Sequence, residues 1–220
     1  VSNSFVASAN CGLYCGANID FVDIDPDTWN ISVEKLKEKL RYAKKKNLLP
    51  KIIIIVHLAG EPAELLEIKK LSKRYRFKIV EDASHAFGAM YNRKPVGSCS
   101  YSDITVFSFH PVKPITTAEG GAACTNNKKI YNKLKLFRNH GITRDPAFLK
   151  KKITSHWYYE QICLGFNYRM NEIEAALGIS QIKKLSMFLK KRHKIANFYR
   201  NKLSHLPIKF QKMNKKNYSS

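Results

Sequence analysis

Five β-branched residues in a row, Ile52 to Val56, constrain this chain more than any other feature. In "KIIIIVHLAG" no polar residue interrupts the run, so a strand built from it shows apolar side chains on both faces. That reading predicts a buried strand in a parallel sheet covered by helices. A half-solvated antiparallel strand would alternate polar and apolar residues instead. The run is also far shorter than the ~18 apolar residues of a membrane span, and no other window approaches that length.

The flanking segments agree. In "SVEKLKEKLRYAKKK", Ser32 is placed to cap a helix whose apolar stripe is Leu36, Leu40 and Ala43. "AELLEIKKLSKRY" reads as a second helix with Pro62 in its first turn. "FKIVEDASHAFG" is a strand entering a loop, "DITVFSF" a strand, and "GAACTNN" a further one. "NIDFVDID" reads as a short strand ending in acids. "KKIYNKLKLFRNHG" is a helix closed by Gly141, and residues 170–204 are largely helical with a break near Gly178 or Leu185. The polar tail "KMNKKNYSS" is expected to fray. Strand alternating with helix predicts the α/β class, a mostly parallel sheet wrapped by helices.

The 220 residues carry 39 Lys and Arg against 17 Asp and Glu, a formal net charge of +22. The excess falls between leucines and isoleucines at helical spacing, where solvent faces lie. No nucleic-acid motif accompanies it, so no nucleic-acid partner is expected. A basic α/β binding module is the competing reading, and its signature is salt-sensitive retention on DNA or RNA. The five cysteines are odd in number and irregular in spacing. They read as free thiols in a reducing cytoplasm, and the C-x3-C pair of Cys11 and Cys15 lacks the second pair a zinc site needs. No metal and no membrane partner are expected. The first residues, "VSNSFVASANCGLYCG", lack the basic and long apolar regions of a signal peptide, and the chain does not begin with Met. It is therefore expected to be a fragment of a longer protein.

Ligands in open α/β sheets bind beyond the carboxyl ends of the strands. There the sequence places His57, then Glu81, Asp82, Ser84 and His85, then Ser108, His110 and Lys113. Each residue alone has a structural explanation, as a loop histidine or a helix cap. Their gathering at one edge points to chemistry. Lys113 stands in "HPVKPITTAEGG", where prolines on either side are expected to hold its backbone extended. A lysine amine of this kind attacks aldehydes when it is desolvated or lies near another cation. An aspartate in the same cleft is explained if it pairs with a protonated pyridine nitrogen, whose ring then acts as an electron sink.

The segments "EDASHAFGA", "FSFHPVKPITTAEGGA", "RNHGITRDP" and "LGFNYRMNEIEAALGISQIKKL" resemble, in order, the pyridoxal-phosphate-dependent sugar-nucleotide aminotransferases of the DegT/DnrJ/StrS type. The resemblance runs from about Ser4 to about Leu203. It implies a fold type I large domain and pyridoxal 5'-phosphate as cofactor. Lys113 then corresponds to the lysine that bonds the cofactor and shuttles the proton, and Asp82 to the acid on its ring nitrogen. His85 falls near the ring hydroxyl, Phe5 at the aromatic that stacks on the ring, and Ser108 at a phosphate ligand. Asn167 corresponds to an asparagine that reaches the phosphate from the neighbouring subunit, which implies a homodimer with shared active sites. Tyr158 and Arg169 are candidates for substrate contacts, although "WYY" suits interface packing equally well. Related sugar dehydratases carry His where this chain has Lys113, so transamination is favoured. "HPVKPITTAEGG" and "WYYEQICLGFNYR" most resemble members of the pseudaminic acid pathway. Those use a UDP-linked 4-keto-6-deoxy-N-acetyl-altrosamine type of substrate and L-glutamate as amino donor. On this resemblance residues 1–195 form the central part of the cofactor-binding large domain, and 196–220 a linking helix and the start of a small C-terminal domain. The upstream turn that holds the cofactor phosphate in the family has no counterpart before "SFVASAN". Amination of another UDP-, GDP- or dTDP-linked keto sugar is the alternative within the family, and a non-catalytic relative of the same fold is the third reading.

Overall fold

A computed structural model of the chain describes residues 1–151, 155–214 and 216–220. In chain order the elements are α1 (Ala7–Tyr14), α2 (Val33–Lys45), β1 (Ile52–Val56), α3 (Leu65–Tyr75), β2 (Lys78–Asp82), β3 (Met90–Tyr91) and β4 (Lys94–Pro95). They continue with β5 (Ile104–Ser108), β6 (Gly121–Cys124), α4 (Lys128–Arg138), β7 (Ile142–Thr143), β8 (Glu160–Gln161), α5 (Glu172–Ile182) and α6 (Leu185–Lys202).

The main sheet has the order β1-β2-β5-β6. Its first three strands are parallel and β6 runs antiparallel to β5. The α/β expectation therefore holds, with a reversal the apolar pattern does not announce. It has a consequence for position. An antiparallel return needs only a loop, so residues 109–120, with Lys113 among them, stay at the carboxyl edge of the sheet. The Gly pair makes the return possible: a Cβ on Gly121 would lie 2.6 Å from the Phe107 carbonyl oxygen, and Gly120 has φ +138°.

The isoleucine run is less enclosed than its composition predicts. Ile53 and Ile55 are buried against α2 and α3, but Ile52 is 55% exposed. The reason is position: β1 is the outer strand of the described sheet and has one partner, β2. The principal core joins Leu36 and Leu40 of α2, Ile68 and Leu71 of α3, and Ile79 of β2. Ser32 caps α2 by accepting from Lys35 N–H at 3.3 Å. A second cluster, with Ala83, Phe107, Phe109 and Ile115, lies beneath the loops of the carboxyl edge.

Three local expectations change. Residues 23–32 form a single bridge, Ile24 to Ile31, around a turn rather than a strand. The Asp25 carboxylate accepts from the N–H groups of Asp27 and Thr28 and so closes the turn that breaks the strand. Pro62 precedes α3 by three residues instead of lying in its first turn. The helical break near the C-terminus falls at Lys183 and Lys184, between the expected positions, and Gly178 lies inside α5, where a Cβ would come 2.8 Å from Thr117.

The polar tail docks rather than fraying. Gln211 donates to the carbonyls of Thr28 and Leu58. Asn214 N–H and the Asn217 amide both donate to Oε1 of buried Glu61, at 3.1 and 2.9 Å. Tyr218 pairs with Met90. A buried carboxylate needs donors, and an Asn-rich segment supplies them. Burial pushes the Glu61 carboxyl above its ordinary value, against the pull of Asn217 and Asn214. Helix α6 continues through residue 195 without interruption.

Gly141 closes α4 as its sequence position suggests. Its φ is +69°, its N–H returns to Leu136 O at 2.8 Å, and an added Cβ would fall 1.8 Å from Cys163 O. Gly141→Ala is expected to cost on the order of 1–3 kcal/mol in urea denaturation, from left-handed strain and the backbone clash together. A loss below about 0.5 kcal/mol, the range of neutral surface changes, would contradict this packing.

Candidate active site

Side chains alternate along β2, and this separates two neighbouring acids. Glu81 turns into the core, where its Oε2 lies 2.8 Å from Nε2 of His57 and its Oε1 accepts from Thr105 Oγ1 at 3.1 Å. Nδ1 of His57 accepts from Ala63 N–H at 3.1 Å, which leaves the Nε2 proton for Glu81. Burial would raise the Glu81 carboxyl, but the hydrogen bond and electrostatic influence of His57, helped by Ser102 and Thr105, hold it below its ordinary value. His57 and Glu81, grouped with the edge residues on sequence grounds, are thus buried structural partners.

Asp82 turns the other way, half-buried at the strand end. Its Oδ1 accepts from Ser84 N–H at 3.1 Å, and its Oδ2 from Ser8 Oγ of α1 at 2.5 Å. Asp82 is in register with Val106 of β5, so Ser108, two residues on, lies on the same face of the sheet. The Ser108 hydroxyl accepts from His110 N–H at 3.4 Å.

Lys113 is half-buried in the β5–β6 loop. The flanking prolines do not keep its backbone fully extended. Lys113 N–H bonds His110 O at 3.0 Å, a turn with Pro111 at its second position, where a fixed φ near −65° is suited. Arg192 of α6 donates to the Lys113 carbonyl at 3.5 Å. His85 links the two charges. Its imidazole is pushed below its ordinary value, first by burial and then by the charge of Lys113, while Asp82 pulls in the opposite direction. Nδ1 of His85 accepts from Ala59 N–H at 3.3 Å, which fixes the ring. Amine, carboxylate and imidazole therefore share one electrostatic neighbourhood.

Phe5, in the turn before α1, is 75% exposed. Asn167 is exposed and forms a backbone bridge with Asn139. Arg169 donates to Asn139 Oδ1 at 2.8 Å. It lines a cavity of about 490 Å³ with His140, Ile142, Arg144 and Tyr159. Tyr158 instead donates to Glu160 Oε1 at 2.9 Å, a bond that raises its hydroxyl above the ordinary value. Ser8 went unrecognised in the sequence, since one serine in "SFVASAN" carries no signal until α1 is placed against β2. All five cysteines are free thiols, and among the described residues no metal-binding group of three or more His, Cys, Asp or Glu occurs. Among those residues no helix is long and apolar enough to cross a membrane.

The model of the DegT/DnrJ/EryC1/StrS aminotransferase family matches residues 1–220. The chain belongs to that family. Its members depend on pyridoxal phosphate. The UDP-4-amino-4,6-dideoxy-N-acetyl-beta-L-altrosamine transaminase of Campylobacter jejuni subsp. jejuni serotype O:2 is 43% identical over 196 residues, covering 89% of this chain and 48% of the relative. The GDP-perosamine synthase of Escherichia coli O157:H7 is 34% identical over 203 residues, covering 92% and 50%. Among solved structures, Helicobacter pylori PseC, an aminotransferase involved in pseudoaminic acid biosynthesis, superposes with a TM-score of 0.81 at 38% identity, covering 93% and 50%. The chain thus spans about half the length of the relatives it matches.

The direction of the His85 shift fixes a pH dependence. A base whose folded value is depressed binds fewer protons folded than unfolded. Its stabilising contribution is complete above the unfolded value of about 6.5 and is lost as pH falls through the lower folded value. His85→Gln is expected to flatten the stability–pH slope between about pH 7 and pH 5 in chemical denaturation. An unaltered slope would mean that this imidazole does not carry the shift.

Proposed function

We propose that the protein containing this chain is a pyridoxal-phosphate-dependent transaminase that places an amino group on a keto sugar nucleotide. The observation that carries the reading is the placement of Asp82 at the end of β2, His85 in the loop after it and Lys113 in the β5–β6 loop, all at the carboxyl edge of the sheet. That donor set suits the cofactor: an amine for its aldehyde, a carboxylate for its ring nitrogen, and a strand-end hydroxyl on the same face. When bound, pyridoxal phosphate supplies an electron sink for negative charge beside the transferred nitrogen.

The chain's own residues do the rest. Asp82, held by two donors, orients and charge-balances a ring nitrogen. Nζ of Lys113 would take a proton from one carbon and return it at another, and the turn at Pro111 sets where its backbone stands at the sheet edge. With the cofactor bound, His85 would meet the ring hydroxyl, Phe5 would cover the ring face, and Ser108 would hold a phosphate oxygen. Asn167 would serve the phosphate of a second copy in a homodimer. Arg169, with Arg144 beside it, gives the cavity positive charge for an anionic substrate group, and Tyr158 is assigned as a further substrate contact. Residues 1–195 belong to the large domain, and 196–220 lead into a small one.

The Campylobacter jejuni relative is named for a UDP-linked 4-amino-4,6-dideoxy-N-acetyl-altrosamine, and on that likeness the substrate is a UDP-linked 4-keto-6-deoxy-N-acetyl-altrosamine type of sugar. We assign L-glutamate as donor, and surface-glycan biosynthesis in the cytoplasm as the setting, on the sequence resemblance alone. The likeness to GDP-perosamine synthase supports a second reading, amination of a GDP-linked keto sugar.

The full-length protein is expected to show a visible cofactor absorption band. Lys113→Ala should abolish the band and lower amination at least about a hundredfold, the scale of a lost general acid–base group. Product mass after incubation with UDP- or GDP-linked 4-keto sugars and L-glutamate decides between the substrates. A colourless protein with Lys113 intact would overturn the reading.

A further inference from the structure

We infer that Ser8 is the positioning residue of Asp82, which couples the carboxylate to the turn carrying Phe5. This rests on the proposed role of Asp82 toward a cofactor ring nitrogen. Helix α1 has no buried residue and no side-chain cap at its N-terminus. Its first turn nevertheless reaches 74 residues along the chain, where Ser8 Oγ donates to Asp82 Oδ2 at 2.5 Å.

The carboxylate is held at both oxygens from two separate elements. Ser84 N–H, in the loop after β2, takes Oδ1, and Ser8 takes Oδ2. Each oxygen retains a second lone pair, so a cationic N–H can still be received in the carboxylate plane. The single hydroxyl proton of Ser8 has one use here. Ser4 Oγ donates to Ser8 Oγ at 3.0 Å, which leaves the Ser8 proton for Asp82. Ser8 N–H bonds Phe5 O at 3.2 Å. One serine therefore holds the acid by its side chain and the aromatic turn by its backbone. Hydrogen bonds to an ionised acceptor are roughly twice as strong as neutral ones, so this bond is the most effective tether α1 has to the sheet.

A purely structural tether makes a different prediction. If Ser8 only anchored α1, its loss would loosen the helix while the bound cofactor kept its affinity and its spectrum. A positioning role moves both, and a conservative hydroxyl restores both.

The test takes the full-length protein, stripped of cofactor and titrated with pyridoxal phosphate, followed by absorbance and intrinsic fluorescence. Ser8→Ala is expected to weaken binding about tenfold, the scale of one lost hydrogen bond to a charged group, and to alter the visible band. Ser8→Thr keeps the hydroxyl and is expected to return affinity to within about twofold and to restore the band. Wild-type affinity and spectrum in Ser8→Ala, or failure of Ser8→Thr to rescue, overturns the inference. Should Ser8→Ala not fold by circular dichroism, Ser4→Ala replaces it. That change removes the donor that polarises the Ser8 hydroxyl toward Asp82 and is expected to weaken binding about threefold, and an unchanged affinity again overturns the inference. Asp82→Ala measured in parallel separates the two levels. If it binds as wild type does, the role of Asp82 fails and the Ser8 inference with it; if Asp82→Ala is impaired and Ser8→Ala is silent, only the Ser8 inference falls.

Discussion

The buried contact between His57 and Glu81 is the interaction on which the carboxyl edge depends. His57 follows β1, Glu81 lies in β2, and Thr105, which bonds the same carboxylate, lies in β5. One acid therefore ties three parallel strands just beneath the carboxyl edge of the sheet. A hydrogen bond to a buried carboxylate is costly to leave unmade, since an uncompensated charge would remain in the core. The network therefore penalises any shift of one strand against the next. Asp82, Ser108 and the Lys113 turn inherit their relative positions from that register.

The rest of the site is assembled from loops on this platform. The loop after β2 supplies His85 and the amide that holds Asp82. The β5–β6 loop supplies Lys113, and α6 meets it through Arg192. Helix α1 contributes Ser8 from the other side. A second cluster, around Asn139, Arg144 and Arg169, is built on the end of α4 and the β7–β8 pair, with Gly141 allowing the chains to meet closely. The family to which the chain belongs is named for aminotransferases; the two clusters differ in chemistry, one pairing an amine with a carboxylate and the other gathering two arginines.

Much of this was legible in the sequence, for identifiable reasons. β1, β2 and β5 stood out because β-branched runs are local signals, and α2 and α4 because their caps and apolar stripes are local too. Lys113 and Asp82 were legible because one follows such a strand and the other ends one. Features set by partners distant in sequence were not. The direction of β6, the docking of the tail on Glu61 and the exposure of Ile52 depend on what lies alongside each segment. The β3–β4 hairpin turns at Asn92 and Arg93, both at positive φ, and that non-Gly pair is a weaker turn signal than Asn-Gly. His57 read as an edge residue because its burial depends on an acid 24 residues away.

The pair Glu81–Asp82 has a consequence for how this strand tolerates change. Exchanging the two residues would preserve charge, composition and acidic pattern. Yet it would give the core the shorter acid and the cleft the longer one. An aspartate facing His57 would stop one methylene short of an imidazole held in place by Ala63. A glutamate in the cleft would overshoot the two donors, Ser8 and Ser84, now matched to a shorter side chain. Two acids that look interchangeable in a sequence are each measured to length: one by the depth of a core, the other by the width of a cleft.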